Sequence, residues 1–212
     1  MKIMTARFVK GAKSRAGYPA LGIPEFAFFG RSNAGKSSLI NMIVNRKGLV
    51  KTGSLPGMTR EINFFAVNEA FCLADLPGYG FARRSRAETE AFDRMLAEYA
   101  ETRRELRAVF FLVDLRREPG DPERDTVAYF ESKGIEVIVV GTKADKLGAN
   151  DRRAAARDLA AFFGRGAEGV RISSATKRVG REELLKDITA RLVRDGRGGS
   201  DTASPEPLAP RD

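Results

Sequence analysis

The stretch that most constrains this chain is Phe-Ala-Phe-Phe-Gly-Arg-Ser-Asn-Ala-Gly-Lys-Ser-Ser-Leu, residues 26–39. A short apolar run ends at Gly30, and the spacing Gly30-x-x-x-x-Gly35-Lys36-Ser37 follows. Leu39, Ile40, Ile43 and Val44 then recur at helical spacing. The pattern predicts a strand, a phosphate-binding loop and a helix. Glycines let the loop curl so that successive N–H groups point inward, and the helix N-terminus adds partial positive charge. Lys36 can reach the outer phosphates of a nucleotide, and the Ser37 hydroxyl can bind Mg²⁺. A plain glycine turn would match the same letters, but the flanking strand and helix favour the phosphate loop.

The rest of the composition narrows the chemistry. The chain of 212 residues contains no histidine. That excludes His general acid–base catalysis, Ser-His and Cys-His nucleophiles, and His metal sites. Any catalysis must use carboxylates, Lys, Arg, backbone groups or bound cations. The net charge of +9 favours a polyanion partner, with RNA or ribonucleoprotein ahead of an anionic membrane, and carries no sign of DNA specificity. No apolar run is long enough to span a bilayer, and no signal core follows Met1. The single cysteine, Cys72, has no partner within the chain, so a cytoplasmic protein, monomeric by default, is expected.

Strand and helix patterns alternate along the chain. Residues 1–23 carry Lys2, Arg7, Lys10, Lys13 and Arg15 with no acid before Glu25, and read as a basic N-terminal arm. Residues 24–195 form the expected domain. Residues 61–67 and Phe71–Ala74 flank a tight turn and should pair antiparallel. Val109–Val113, Ile135–Gly141 and Val170–Ile172 read as buried strands. Ser85 with Glu88 predicts a capping box, and Asn150-Asp151 a further helix cap. Residues 196–212 lack periodicity and read as a disordered tail. The expected fold is an α/β three-layer domain. It has a mainly parallel six-stranded sheet with one antiparallel strand, helices on both faces, and a ligand beyond the carboxyl ends of the strands.

Two further motifs fall at strand ends. Asp75-Leu76-Pro77-Gly78 offers a carboxylate positioned to hold Mg²⁺ through water, and a glycine N–H able to approach a terminal phosphate. Thr142-Lys143-Ala144-Asp145 offers a base reader. A carboxylate there accepts from guanine N1–H and its 2-amino group; adenine lacks both donors and would leave Asp145 unpaired. The Lys143 stem can lie over the base plane.

With these residues in place, the sequence resembles the EngB (YihA/YsxC) family of bacterial ribosome-biogenesis GTPases, within the Era-like P-loop group. The resemblance rests on residues 30–41, Pro-Gly-Met-Thr (56–59), Asp-Leu-Pro-Gly-Tyr-Gly-Phe-Ala (75–82), Thr-Lys-Ala-Asp-Lys-Leu (142–147) and Ser-Ser-Ala (173–175). It implies a GTP/GDP site with Mg²⁺ built from Gly30, Arg31, Ser32, Asn33, Ala34, Gly35, Lys36, Ser37 and Ser38. To these it adds Gly57, Thr59, Asp75, Gly78, Thr142, Lys143, Asp145, Ser173, Ser174 and Ala175. Ser37, Thr59 and Asp75 would serve the metal, and Asn33, Lys36, Thr59 and Gly78 the reaction. It also implies work on the large ribosomal subunit and its RNA, with a link to cell division and septation.

Hydrolysis needs an oriented water and cancellation of charge on the transferring phosphoryl. Many GTPases carry a Gln after Asp-x-x-Gly; here that residue is Tyr79, so slow intrinsic turnover is expected. Asn33 suggests a K⁺ ion beside the phosphates, as in Era-like relatives that carry this Asn. GTP would order residues 47–60 and 76–86 and carry Arg83, Arg84 and Arg86 with them. The competing readings are a P-loop phosphotransferase acting on a small substrate and a basic RNA-binding module that does not switch.

Overall fold

The computed structural model describes residues 1–51, 61–80, 85–166 and 168–192. Gly57, Thr59, Arg83, Arg84 and the expected tail from residue 196 lie outside the described residues.

The phosphate-loop strand β2 (Glu25–Gly30) is buried along its whole length. Its continuous apolar run is what a strand covered on both faces requires. Successive side chains leave on opposite faces. Phe28 packs with Phe110, Leu39, Ile43, Leu184 and Ile188 beneath α1 (Lys36–Val44) and α5 (Arg181–Leu192). Phe29 packs with Phe111, Phe130, Met95, Val127 and Leu159. These lie beneath α2 (Arg86–Thr102), α3 (Asp121–Ser132) and α4 (Ala149–Phe162).

The remaining strands are β1 (Ala6–Ala12), β3 (Ile62–Val67), β4 (Phe71–Asp75), β5 (Leu106–Asp114), β6 (Glu136–Thr142) and β7 (Val170–Ile172). They lie in the order β1-β3-β4-β2-β5-β6-β7. Only β3 runs against its neighbours, β1 and β4; the other pairings are parallel. Asn68 and Glu69, both at positive φ, make the tight turn from β3 to β4. The three-layer α/β fold with one antiparallel strand is therefore as expected.

The sheet has seven strands rather than six. Part of the expected basic arm, Ala6–Ala12, pairs with β3 from Ala6 opposite Val67 to Ala12 opposite Ile62. Its basic residues stand on the solvent side of an edge strand, where charge is ordinary. Arg7 forms an ion pair with Glu69 at 2.9 Å, while Ala6 and Ala12 are buried. The positive run hid a strand whose fully buried residues are only the alanines Ala6 and Ala12.

Helix caps follow the sequence at one place and depart at another. Ser85 and Glu88 form the reciprocal capping box of α2. Helix α4 starts one residue before Asn150, with Gly148 as its cap and no side-chain bond. Among the described residues no helix is long and apolar enough to cross a membrane.

At the amino end of β2, Glu25 is wholly buried. It accepts from Tyr99 at 2.6 Å and from Arg103 at 3.0 and 2.8 Å. Arg103 also donates to the Pro19 carbonyl at 3.0 Å. This pair pins the end of α2 to the sheet. The carboxyl ends of the parallel strands, Gly30, Asp75, Asp114, Thr142 and Ile172, meet at the opposite edge.

Candidate functional site

The phosphate loop leaves β2 at Gly30, where any Cβ would stand 2.5 Å from the Leu112 carbonyl oxygen. Only glycine lets β2 and β5 approach so closely there. Asn33 sits at φ 66°, a left-handed position that Asn tolerates better than most residues. Gly35, at φ 95°, caps α1 with no side chain bonded to the helix end. The first N–H groups of α1, at Lys36, Ser37 and Ser38, thus have no capping side chain and favour an anion.

Asp75, only 3 % exposed, closes this end from β4. Lys36 Nζ lies 3.5 Å from Asp75 Oδ1, too far for a well-formed hydrogen bond. That oxygen has no hydrogen-bond partner. Burial pushes the Asp75 carboxyl up from its ordinary pKa, with the Lys36 charge opposing in part. A buried carboxylate oxygen without a hydrogen bond, facing only the Lys36 ammonium, suits a hard cation with oxygen ligands. Among the described residues no three Asp, Glu, Cys or His side chains cluster as a metal site. The donor set therefore fits Mg²⁺, which keeps waters and takes phosphate oxygens.

Gly78 packs on the loop. A Cβ there would stand 3.0 Å from the Ser32 nitrogen and hydroxyl. The Ser32 N–H donates to the Tyr79 carbonyl at 2.8 Å. The Tyr79 ring lies against Phe29 and Phe111. Its hydroxyl donates to Glu123 at 2.8 Å; burial, then Glu123, pushes its pKa far up. Arg31 lies beside Tyr79 and Gly80. Arg86 is exposed and forms an ion pair with Glu90 one turn on, at 3.1 Å.

At the other end of the cleft, Thr142 Oγ1 is 2.7 Å from the Ala34 carbonyl and 3.1 Å from that of Val113. The Lys143 backbone is left-handed, at φ 59°. Its ammonium donates to the Asn33 carbonyl at 2.6 Å and pairs with Asp114 at 3.0 Å. Asp145 accepts from the Ser174 hydroxyl at 2.6 Å, a bond that holds its carboxyl below the usual range. The Ser173 hydroxyl instead turns to the Val179 carbonyl at 3.2 Å, so that residue braces its loop.

A cavity of about 310 Å³ runs between these ends, lined among others by Gly35, Ser38, Lys143, Asp145, Ser173 and Ala175. Residues more than a hundred positions apart in the chain thus share one cleft. Sequence reasoning missed two charged groups here, Arg116 and the Asp114 that holds it. Arg116 lines the same cavity and binds Asp114 through Nε at 3.0 Å and Nη2 at 2.7 Å. The signal was available: a carboxylate ending an apolar strand beside the other strand ends.

The comparisons agree with this geometry. The family model described as 50S ribosome-binding GTPase matches residues 25–143. A Treponema denticola protein named Probable GTP-binding protein EngB is 50% identical over 91% of this chain and 100% of its own length. The protein of the same name from Syntrophotalea carbinolica is 46% identical over 91% of this chain and 93% of its own length. A crystal structure of a probable GTP-binding protein engB has the same fold, with a TM-score of 0.65 at 22% identity, covering 79% of this chain and 98% of that one. A phosphate loop opening into a cleft that ends at Thr-Lys-x-Asp, and half-identical relatives matched along nearly their whole length, place the chain in the EngB family of GTP-binding proteins, a family of GTPases.

Proposed function

We propose that this chain hydrolyses GTP slowly and serves as a nucleotide-controlled switch in assembly of the large ribosomal subunit, in the cytoplasm. The observation that carries the nucleotide reading is the single cavity joining the phosphate loop at Gly35 and Ser38 to Lys143, Asp145 and Ser173. The N-terminus of α1 with Lys36 would hold the β- and γ-phosphates, and Ser37, Asp75 and Thr59 the Mg²⁺. Asp145 would read the guanine edge while Ser174 keeps it oriented. Bound Mg²⁺ would supply charge neutralisation at the phosphates. Gly57, Gly78 and Thr59 would sense the third phosphate.

The slow rate follows from where Tyr79 goes. Its ring is packed in the core and its hydroxyl is committed to Glu123, so the position that orients water in many GTPases has no side chain at the phosphates. A K⁺ ion partly bound by the Asn33 side chain would supply the missing positive charge. GTPase rates equal in KCl and NaCl would remove that ion from the account.

The ribosomal role draws on the printed description of the matching family model and on the net charge of +9. Co-sedimentation with separated ribosomal subunits, in K⁺ buffer with GTP, GDP or no nucleotide, tests it. The expected result is pelleting with the large subunit that is strongest with GTP. Equal pelleting in all three states, or none, overturns the switch.

A further inference from the structure

Asp114 is the last residue of β5 and is 7 % exposed. Four donors converge on its two oxygens. Oδ1 accepts from the Arg116 backbone N–H at 3.1 Å and from Arg116 Nε at 3.0 Å. Oδ2 accepts from Arg116 Nη2 at 2.7 Å and from Lys143 Nζ at 3.0 Å. The same ammonium reaches the Asn33 carbonyl at 2.6 Å. Lys143 is thereby stretched between β5 and the phosphate loop, and its Cε passes 3.9 Å from where a Cβ on Gly35 would stand.

Two features show that this arrangement needs its carboxylate. Lys143 holds a left-handed backbone, φ 59° and ψ 33°, which an unbranched L-residue enters only at a cost. Its side-chain anchors must offset that cost. Further, Lys143 and Arg116 both line the cavity. Two cations this close repel unless an anion sits between them, and Asp114 is that anion. The guanidinium fork fits a carboxylate in plane, so Arg116 is held as a flat wall beside the space for the nucleoside.

We infer that Asp114 is a positioning residue for the nucleoside end of the cleft: it clamps Lys143 across the cavity and holds Arg116 as a second cationic wall. The inference rests on the reading of this cavity as the guanine-nucleotide site. The clamp acts on the ring plane and sugar rather than on the base edge. It therefore raises the affinity of any purine nucleoside diphosphate, while Asp145 alone chooses guanine.

A double-mutant cycle on the full chain tests this. GDP and ADP affinities are measured for wild type, D114N, K143A and D114N/K143A, with thermal unfolding of each as a check on folding. D114N is expected to weaken both nucleotides about tenfold, and K143A by at least as much. The double variant should lose clearly less than the product of the two single losses, because Asp114 acts mainly through Lys143 and only its hold on Arg116 remains to be lost. D114E, which keeps a carboxylate on a longer stem, should recover more of the loss with Lys143 present than in K143A. R116K should not replace R116, since an ammonium cannot form the fork. Losses that multiply in the double variant overturn the clamp, as does D114N binding both nucleotides as wild type does. If D114N fails to fold, the same cycle is run with D114E. A wild-type protein with no preference for GDP over ADP would overturn the guanine reading; the cycle, read on either nucleotide, would still decide the clamp.

Discussion

The two ends of the cleft are built on opposite principles. At the base end, polar groups find their partners inside the chain. Thr142 bonds two carbonyls, Lys143 bonds a carbonyl and a carboxylate, and Asp145 takes the Ser174 hydroxyl. At the phosphate end, a nearly buried carboxylate keeps one oxygen without a hydrogen bond, and its lysine stands 3.5 Å away. A satisfied network is rigid and selects by fit; an unsatisfied one gains most when a ligand supplies what it lacks. On the proposed reading the base end would therefore recognise, and the phosphate end would respond. The loop between them is held from both sides. Thr142 and Lys143 grip Ala34 and Asn33, while the Tyr79 carbonyl grips the Ser32 N–H. Ligand-driven movement of Gly78 and Tyr79 would thus reach the loop directly.

The largest effect that separates the two ends is expected from Lys36→Ala. Loss of a partly buried cation facing phosphate costs about 4 kcal/mol, or roughly a thousandfold in GDP affinity. The ratio of GDP to ADP affinity should stay as in wild type, because the base end does not use Lys36. Calorimetric titration of both nucleotides checks this, and a collapse of the ratio would show that the ends are not separable. Asp145→Asn should do the reverse. Binding of GDP falls about a hundredfold because an amide N–H now meets the guanine donors. Xanthosine diphosphate, with a carbonyl at that edge, becomes preferred, and the Mg²⁺ dependence is unchanged. Asp75→Asn is milder: GDP affinity in Mg²⁺ should fall about tenfold, to the value that wild type shows in EDTA.

The difference between the ends also explains what the sequence made legible. The phosphate loop, Asp75 and Thr142–Asp145 were readable because each is a short contiguous pattern whose chemistry depends on spacing along one strand end. The mainly parallel sheet around them followed from the alternation of strand and helix; its strand order did not. Asp114 and Arg116 were passed over because their meaning lies in Lys143, nearly thirty residues later, and no local pattern joins them. Tyr79 was read as a missing Gln, but its placement among Phe29, Phe111 and Glu123 depends on packing across three elements. Strand β1 was hidden for another reason: an edge strand can carry Arg7 and Lys10 outward at little cost, so its charge resembled that of a free arm.

The smallest expected effect is the most discriminating, because the two ends should fail in sequence on acidification. Folding lowers the Asp145 pKa, chiefly through the Ser174 hydroxyl. The charged form is therefore favoured above the ordinary carboxylate value and is lost only as pH falls through the lower, folded value. Folding raises the Asp75 pKa through burial. Burial thus disfavours the carboxylate relative to an exposed aspartate, and the carboxylate that would sit beside Mg²⁺ is the first of the two to be protonated as pH falls. The Mg²⁺ contribution to GDP affinity should thus fade at a higher pH than the preference for GDP over inosine diphosphate, which lacks only the 2-amino group that Asp145 would read. Ser174→Ala should weaken GDP about fivefold near neutral pH. It should also shift the loss of the preference to higher pH, narrowing the interval between the two events. Titrations of both diphosphates with and without Mg²⁺ across the acid range measure that interval. Simultaneous loss of the two contributions in wild type would mean that one carboxylate governs both ends.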